Sequence, residues 1–153
     1  MLSKCSCEVH FNDTAMNKVL LIDDDLDMLE VMESTLTYYG YEVIKSTYTD
    51  DIFAMVYVHQ PDLVILDYLI AGINGGELCA ALKRNEATKS LPVIIISAYE
   101  RIIQSLGNYG CDAFISKPFD MTHLLNVIQK TIKNSPVPYQ SLKATYTKYR
   151  QHD

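Results

Sequence analysis

Three kinds of reactive side chain recur at the ends of apolar runs in this chain. The run Val19-Leu20-Leu21-Ile22 closes in the triplet Asp23-Asp24-Asp25, and Leu63-Val64-Ile65-Leu66 closes in Asp67. Val93-Ile94-Ile95-Ile96 closes in Ser97, and Phe114-Ile115 leads through Ser116 to Lys117-Pro118. Carboxylates, a hydroxyl and an ammonium are the groups that phosphate and metal chemistry needs. Aspartates brought to one place repel one another, and at least one pKa rises unless a cation sits between them. Hard oxygen ligands with room for water suit Mg²⁺, which takes a few carboxylates together with waters and phosphate oxygens.

Asp67 stands alone at the end of a wholly apolar run and is the natural nucleophile, since a carboxylate attacking phosphorus gives an aspartyl phosphate. Ser97 can donate a hydrogen bond to one phosphoryl oxygen, and Lys117 can hold another as a point charge. Each feature also has a plainer account. Asp23 to Asp25 could only cap a helix, and Asp67 could be a turn residue. A serine after a strand, or a lysine before a proline, says little alone. One cap does not need two acidic neighbours, however, and the four endings in this order argue for a site.

Such residues converge only if the apolar runs are parallel strands of one sheet, whose carboxyl edge is where open α/β folds place their ligands. From Lys18 onward, strand-like and helix-like segments alternate, as they do in βαβ units. Asp25 or Asp27 caps a first helix with Met28, Leu29, Met32 and Leu36 at helical spacing, and Gly40 ends it. Tyr41 to Lys45 is a short second strand. Asp50-Asp51 opens a second helix through Ile52, Met55 and Val56, stopped at Gln60-Pro61. A loop with Gly72, Asn74, Gly75 and Gly76 precedes a third helix through Leu78, Ala81 and Leu82. Strand four spans Val93 to Ile96, a short fourth helix Glu100 to Leu106, and strand five Cys111 to Ile115. The fifth helix runs from Asp120 to about Lys133. Strands this apolar are expected to be covered on both faces, and right-handed crossovers place helices on each side.

The whole chain sets further bounds. Its 153 residues suit one domain with a real core. With 48% hydrophobic and 21% charged residues the composition is that of a globular protein. A formal charge of -6 argues against direct nucleic-acid binding or an anionic membrane surface, both of which favour basic proteins. Apolar runs fall well short of the roughly 20 residues of a membrane helix, and no signal-peptide stretch opens the chain, so a cytoplasmic location is expected. Cys79 and Cys111 read as buried small residues. Cys5 and Cys7 lack a second ligand pair at zinc spacing. Residues 1–16 read as a loose arm. Residues 135–153, with Leu142, Tyr146 and Tyr149 at helical spacing, read as a tail that is either a docking helix or disordered.

With these residues in place, residues 17–134 resemble the receiver domain of two-component response regulators. The motifs are Leu-Leu-Ile-Asp-Asp-Asp at 20–25, Leu-Val-Ile-Leu-Asp at 63–67, Ile-Ile-Ile-Ser-Ala at 94–98 and Phe-Ile-Ser-Lys-Pro-Phe at 114–119. The resemblance implies a flavodoxin-like, doubly wound (βα)5 fold with a five-stranded parallel sheet in the order 2-1-3-4-5. It implies that Asp23 and Asp24 form the acid pair for Mg²⁺, with Asp24 a direct ligand, and that the backbone carbonyl of Leu69 and Asp67 complete the metal site. Asp67 then corresponds to the phosphoacceptor, Ser97 to the switch hydroxyl, Lys117 to the phosphate-binding lysine and Phe114 to the aromatic switch. A cis peptide before Pro118 is implied as well. The implied partners are a sensor histidine kinase or histidine phosphotransfer protein and a downstream protein reached through the helix-four, strand-five, helix-five face; a homodimer is also compatible. Such a protein is a self-phosphorylating and self-dephosphorylating switch and not a turnover enzyme.

Two departures stand out. Receivers often carry Met-Pro at the third and fourth positions after the phosphoacceptor, where this chain has Ile70-Ala71, so a looser loop is expected there. The stretch from Ser97 to Lys117 is slightly short, which trims helix four. A competing reading is a haloacid-dehalogenase-type phosphatase, which also uses an aspartyl phosphate and Mg²⁺; Asp23 and Asp25 meet its D-x-D spacing. Against it, Asp27-Met28 stands where Thr or Val is expected, and only Asp120 and Asp153 are acidic after Lys117.

Leu69 and Tyr99 lie two residues beyond Asp67 and Ser97, where side chains can flank a phosphoryl group. Neither can act as a base for an attacking water, and both are bulky, so slow self-hydrolysis of phosphorylated Asp67 is expected. Replacing Leu69 by Asn or Glu should speed decay of the acyl phosphate several-fold, followed as loss of adduct with time. An unchanged decay rate would contradict this.

Overall fold

The computed structural model describes residues 17–99, 101 and 107–135. Five strands form the central sheet: β1 (Lys18–Ile22), β2 (Glu42–Ser46), β3 (Leu63–Asp67), β6 (Val93–Ser97) and β7 (Ala113–Ser116). Two short strands, β4 (Leu69–Ile70) and β5 (Ile73–Asn74), form a separate ribbon. Among the described residues the complete helices are α1 (Leu26–Tyr38), α2 (Ile52–His59), α3 (Gly75–Arg84) and α4 (Met121–Lys133). The sheet order is β2-β1-β3-β6-β7 and every neighbouring pair is parallel. With the ribbon set aside, this is the expected 2-1-3-4-5 order.

Alternation along each buried strand divides the core into two layers, because successive strand residues face opposite sides. Val19 and Leu21 of β1 join Leu63, Ile65, Ile94, Ile96 and Ile115 beneath Leu29, Met32, Leu36, Leu124 and Ile128 of α1 and α4. Leu20 and Ile22 join Val64, Leu66, Val93 and Ile95 beneath Ile52, Val56, Cys79 and Leu82 of α2 and α3. Burying one such aliphatic side chain stabilises the fold by about 1.5–3 kcal/mol. β2 is an edge strand and only partly buried.

Each of these four helices starts on a polar cap. Asp25, Asp51, Asn74 and Asp120 accept from the N–H groups of Met28, Ala54, Glu77 and His123, respectively. Each cap contributes about 1 kcal/mol. Asp25, not Asp27, is therefore the cap of the first helix. Gln60 ends α2 in the left-handed region at φ 48, and Gly40 follows α1 at φ 86.

Three local expectations shift. The second strand starts at Glu42, since the Tyr41 N–H turns back to Leu36 O at 3.0 Å and closes the end of α1. The fifth strand starts at Ala113, since the Cys111 N–H is held by Asn108 O in a turn. The expected loop after Asp67 contains a short antiparallel ribbon. Leu69 pairs with Asn74 and Ile70 with Ile73, around Ala71 and Gly72 at φ 48 and 85. Positive φ at both central residues is the signature of a type I′ hairpin turn, and Ile70 is fully buried beneath it. Apart from Arg101, which is helical, the expected helix at Glu100–Leu106 lies outside the described residues, as do the arm over 1–16 with Cys5 and Cys7 and the tail beyond Ser135. Among the described residues, no helix is long and apolar enough to cross a membrane.

Gly75 carries the tightest constraint on the fold near the strand ends. Its N–H donates to Tyr68 O at 2.7 Å, and a Cβ there would lie 2.0 Å from the carbonyl oxygen of Asp67. Backbone cannot yield as a side-chain tip can. Gly75→Ala should therefore lower stability by about 2–3 kcal/mol, read as a fall in the midpoint of chemical denaturation at unchanged m-value.

Candidate functional site

The sheet order reverses between β1 and β3, and the crevice at their carboxyl ends is where such folds bind ligands. Ladder bonds continue past the strands and hold the residues there in register: Asp23 N donates to Ser46 O, Tyr68 N to Ile96 O, and Lys117 N to Ser97 O. Asp23, Asp24 and Asp67 each bring a carboxylate oxygen within 4.8 Å of the others. Asp23 and Asp67 are buried, whereas Asp24 is exposed at the rim.

Lys117 bridges the two buried carboxylates. Its Nζ lies 3.1 Å from Asp23 Oδ2 and 3.0 Å from Asp67 Oδ1. Backbone amides take the remaining oxygens: Asp25 N–H donates to Asp23 Oδ1 at 2.9 Å, Leu69 N–H to Asp67 Oδ2 at 3.3 Å, and Ala71 N–H to Asp24 Oδ2 at 3.0 Å. Every carboxylate is thus fixed by a neighbour in the loop or helix that its own strand leads into, except Asp24, which is held from across the crevice. Ser97 is buried, and its Oγ accepts from Tyr99 N–H at 2.8 Å. That leaves the hydroxyl proton as a donor for a ligand.

The electrostatics follow from this packing. Burial pushes the Asp67 carboxyl above its ordinary value of 3.8, helped by the charge on Asp23 and opposed by the bond from Lys117. Burial would lower the Lys117 ammonium, but its bonds to Asp67 and Asp23 prevail and raise it above 10.5. Two buried carboxylates therefore share one fixed cation, with a third carboxylate, Asp24, beside them at the rim. A second, divalent cation would relieve the remaining charge, and the all-oxygen donor set suits Mg²⁺. Asp23, Asp24 and Asp67 are the side chains that would hold it.

The structure thus brings Asp23, Asp24, Asp67 and Lys117 together and sets Ser97 at the next strand end. Phe114 stands back on β7, half-buried against the layer under α2 and α3. It also lines an edge cavity of about 280 Å³ with Val127 and Thr131. The Lys117-Pro118 peptide is cis, as the resemblance implied. Asp25 is occupied as the α1 cap, which takes it away from the D-x-D role that a phosphatase would need. Cys79 and Cys111 are buried free thiols, pushed up to about 12 and about 11 mainly by desolvation, and so stay protonated. Sequence reasoning missed the amide donors of Asp25 and Ala71, because a backbone N–H has no residue signature.

Fold and site together define a doubly wound α/β domain with a lysine-bridged acidic pocket at its switch point. A sequence model of the response regulator receiver domain matches residues 19–129, and the chain belongs to that family. It is 31% identical over 120 residues to the phosphate regulon transcriptional regulatory protein PhoB of Pseudomonas aeruginosa, a match covering 76% of this chain and 52% of PhoB. The chain thus spans about half the length of that relative. Among solved structures, a putative response regulator from Chloroflexus aurantiacus superposes with a TM-score of 0.70 at 26% identity, covering 78% of this chain and 100% of that one. The response regulator TrrA of Thermotoga maritima, in complex with Mg(2+)-BeF, gives 0.68 at 25% identity over 76% and 99% of the two chains.

The raised Asp67 pKa fixes the sign of a stability effect. In metal-free protein the folded state holds this proton more tightly than the unfolded chain. Stability from the protonated form is therefore present below 3.8 and lost as pH rises through the higher folded value. At neutral pH the ionised carboxylate is a net liability. Asp67→Asn should accordingly raise the thermal midpoint by a few degrees in EDTA at pH 7, with a smaller gain at pH 4. A lower midpoint at pH 7 would contradict the assignment.

Proposed function

We propose that this receiver domain accepts a phosphoryl group on Asp67 from a phosphohistidine of a sensor histidine kinase or a histidine phosphotransfer protein. In the step, the phosphorus–nitrogen bond of the donor breaks, a bond forms between phosphorus and an Asp67 carboxylate oxygen, and the imidazole leaves with a proton. The observation that carries the reading is Lys117 held 3.0 Å from Asp67 and 3.1 Å from Asp23. An ammonium so placed orients the nucleophile before reaction and is ready to meet a phosphoryl oxygen after it. Ser97 supplies a hydroxyl donor to another oxygen.

Mg²⁺, held by Asp23, Asp24, Asp67 and the Leu69 carbonyl, would supply charge neutralisation for the incoming phosphoryl oxygens. The Mg(2+)-BeF complex of the related TrrA supports this choice of metal. Phosphorylation then biases two populations of the domain through Ser97 and Phe114, and the face formed by β7, α4 and the segment before them is read by a downstream protein. We take the receiver unit as residues 17–134, between an arm over 1–16 and a tail over 135–153. It works as a switch and not as a turnover enzyme, in the cytoplasm, by protein contacts and not by direct contact with nucleic acid or membrane.

Incubation with Mg²⁺ and a small phosphodonor should yield a base-labile adduct approaching one phosphoryl group per chain. Asp67→Asn should abolish it, while Asp23→Asn should retain it at a reduced rate of formation. Lys117→Ala should slow formation by roughly tenfold or more, as expected for loss of a charge-assisted contact. Continuous phosphate release that depends on Asp23 would instead mark a phosphatase.

A further inference from the structure

The hairpin after Asp67 is tied across the crevice to the acidic cluster. The Ala71 N–H at its tip donates to Asp24 Oδ2 at 3.0 Å, joining residues far apart in sequence. Ala71 carries a Cβ yet sits at φ 48, a left-handed conformation that is strained for a residue with a side chain and persists only where the surroundings hold it. Three things hold it here: the Leu69–Asn74 and Ile70–Ile73 pairs, the buried Ile70 side chain, and the bond to Asp24.

Asp24 differs from its two partners in the cluster. Asp23 and Asp67 are buried and each is gripped by Lys117 as well as by an amide. Asp24 is exposed, and an exposed aspartate samples several rotamers unless something selects one. The Ala71 amide makes that selection. It occupies one carboxylate oxygen and leaves the other for a cation.

We propose that the backbone amide of Ala71 is the positioning group for Asp24, so that cation binding and closure of the 69–74 hairpin form one linked equilibrium. This inference rests on the Mg²⁺ reading given above. Linkage is reciprocal: a closed hairpin strengthens Mg²⁺ binding, and bound Mg²⁺ holds the hairpin closed beside Asp67. The presence of the metal is thereby registered in the loop that carries Leu69, before any phosphoryl group arrives.

The test compares Mg²⁺ affinity by calorimetry in the full chain and in two variants. Ala71→Gly keeps the N–H and suits the positive φ, so its dissociation constant should stay within about twofold of the parent. Ala71→Pro removes the donor and should weaken binding by about tenfold, in line with loss of a hydrogen bond to a charged group. Because proline can also reshape the turn, amide hydrogen exchange at Ala71 provides the second reading. Exchange should be slow without metal and slower with Mg²⁺. It should speed up about tenfold in Asp24→Ala but stay slow in Asp24→Asn, which keeps an acceptor oxygen. Parental affinity in Ala71→Pro, or parental exchange in Asp24→Ala, overturns the positioning role alone. A parent chain that takes up no Mg²⁺ at millimolar concentration overturns the metal reading and this inference with it.

Discussion

Repulsion between the carboxylates of Asp23 and Asp67 is the constraint around which the crevice is arranged. Both are buried at the ends of adjacent strands, with oxygens inside 4.8 Å. Two like charges at that distance repel by about 3 kcal/mol at an effective dielectric of about 20. The fold does not avoid this cost, because parallel pairing of β1 and β3 forces the two strand ends together. It answers with the Lys117 ammonium from β7, reaching both carboxylates. One positive charge against two buried negative ones, with a third at the rim, leaves the crevice acidic. The site is therefore built with an unmet charge, and a divalent cation or a bound phosphoryl group with its metal changes that balance more than any nearby side chain can.

The same pairing explains why the surrounding backbone is so tightly specified. α3 begins against the carbonyl of Asp67, where only a glycine fits. Between them the chain has just enough residues for a two-residue hairpin, and its amides face back toward Asp67 and Asp24. A carboxylate on a rigid strand end, with its oxygens already paired, needs little reorganisation, the property by which preorganised sites lower barriers. A mobile loop at this point would leave Asp24 to solvent and weaken the cluster at its exposed corner.

Much of this was legible in the residues because parallel α/β sheets write themselves plainly. Val19 to Ile22, Leu63 to Leu66 and Val93 to Ile96 are apolar throughout, since both faces of each strand are covered, and the polar residue that ends each run marks the carboxyl edge. The N-caps were readable in part, as short polar side chains just before helical patterns: Asp120 stood out, Asp25 shared its place with Asp27 and Asp51 with Asp50, and Asn74 read only as a loop residue. Less legible were features set by the backbone. The slip of β2 to Glu42 depends on where the Tyr41 amide finds its acceptor, and the hairpin at 69–74 has too few residues for a periodic pattern. Burial of Ile70 and the bond from the Ala71 N–H to Asp24 have no counterpart in the residue pattern there.

By itself, then, the order of residue types determined a five-stranded parallel sheet with helices on both faces. It also determined that Asp23, Asp24, Asp67, Ser97 and Lys117 end its strands, because hydrophobic alternation and strand-end polarity are local properties of the chain. Only the tertiary structure decided which of these groups touch. That Lys117 grips Asp23 and Asp67 together, that Asp25 turns away to cap α1, and that the Ala71 amide reaches Asp24 all depend on sheet order and loop path. Those follow from which surfaces pack, and a contact between residues so far apart in sequence leaves no mark in the spacing of either one.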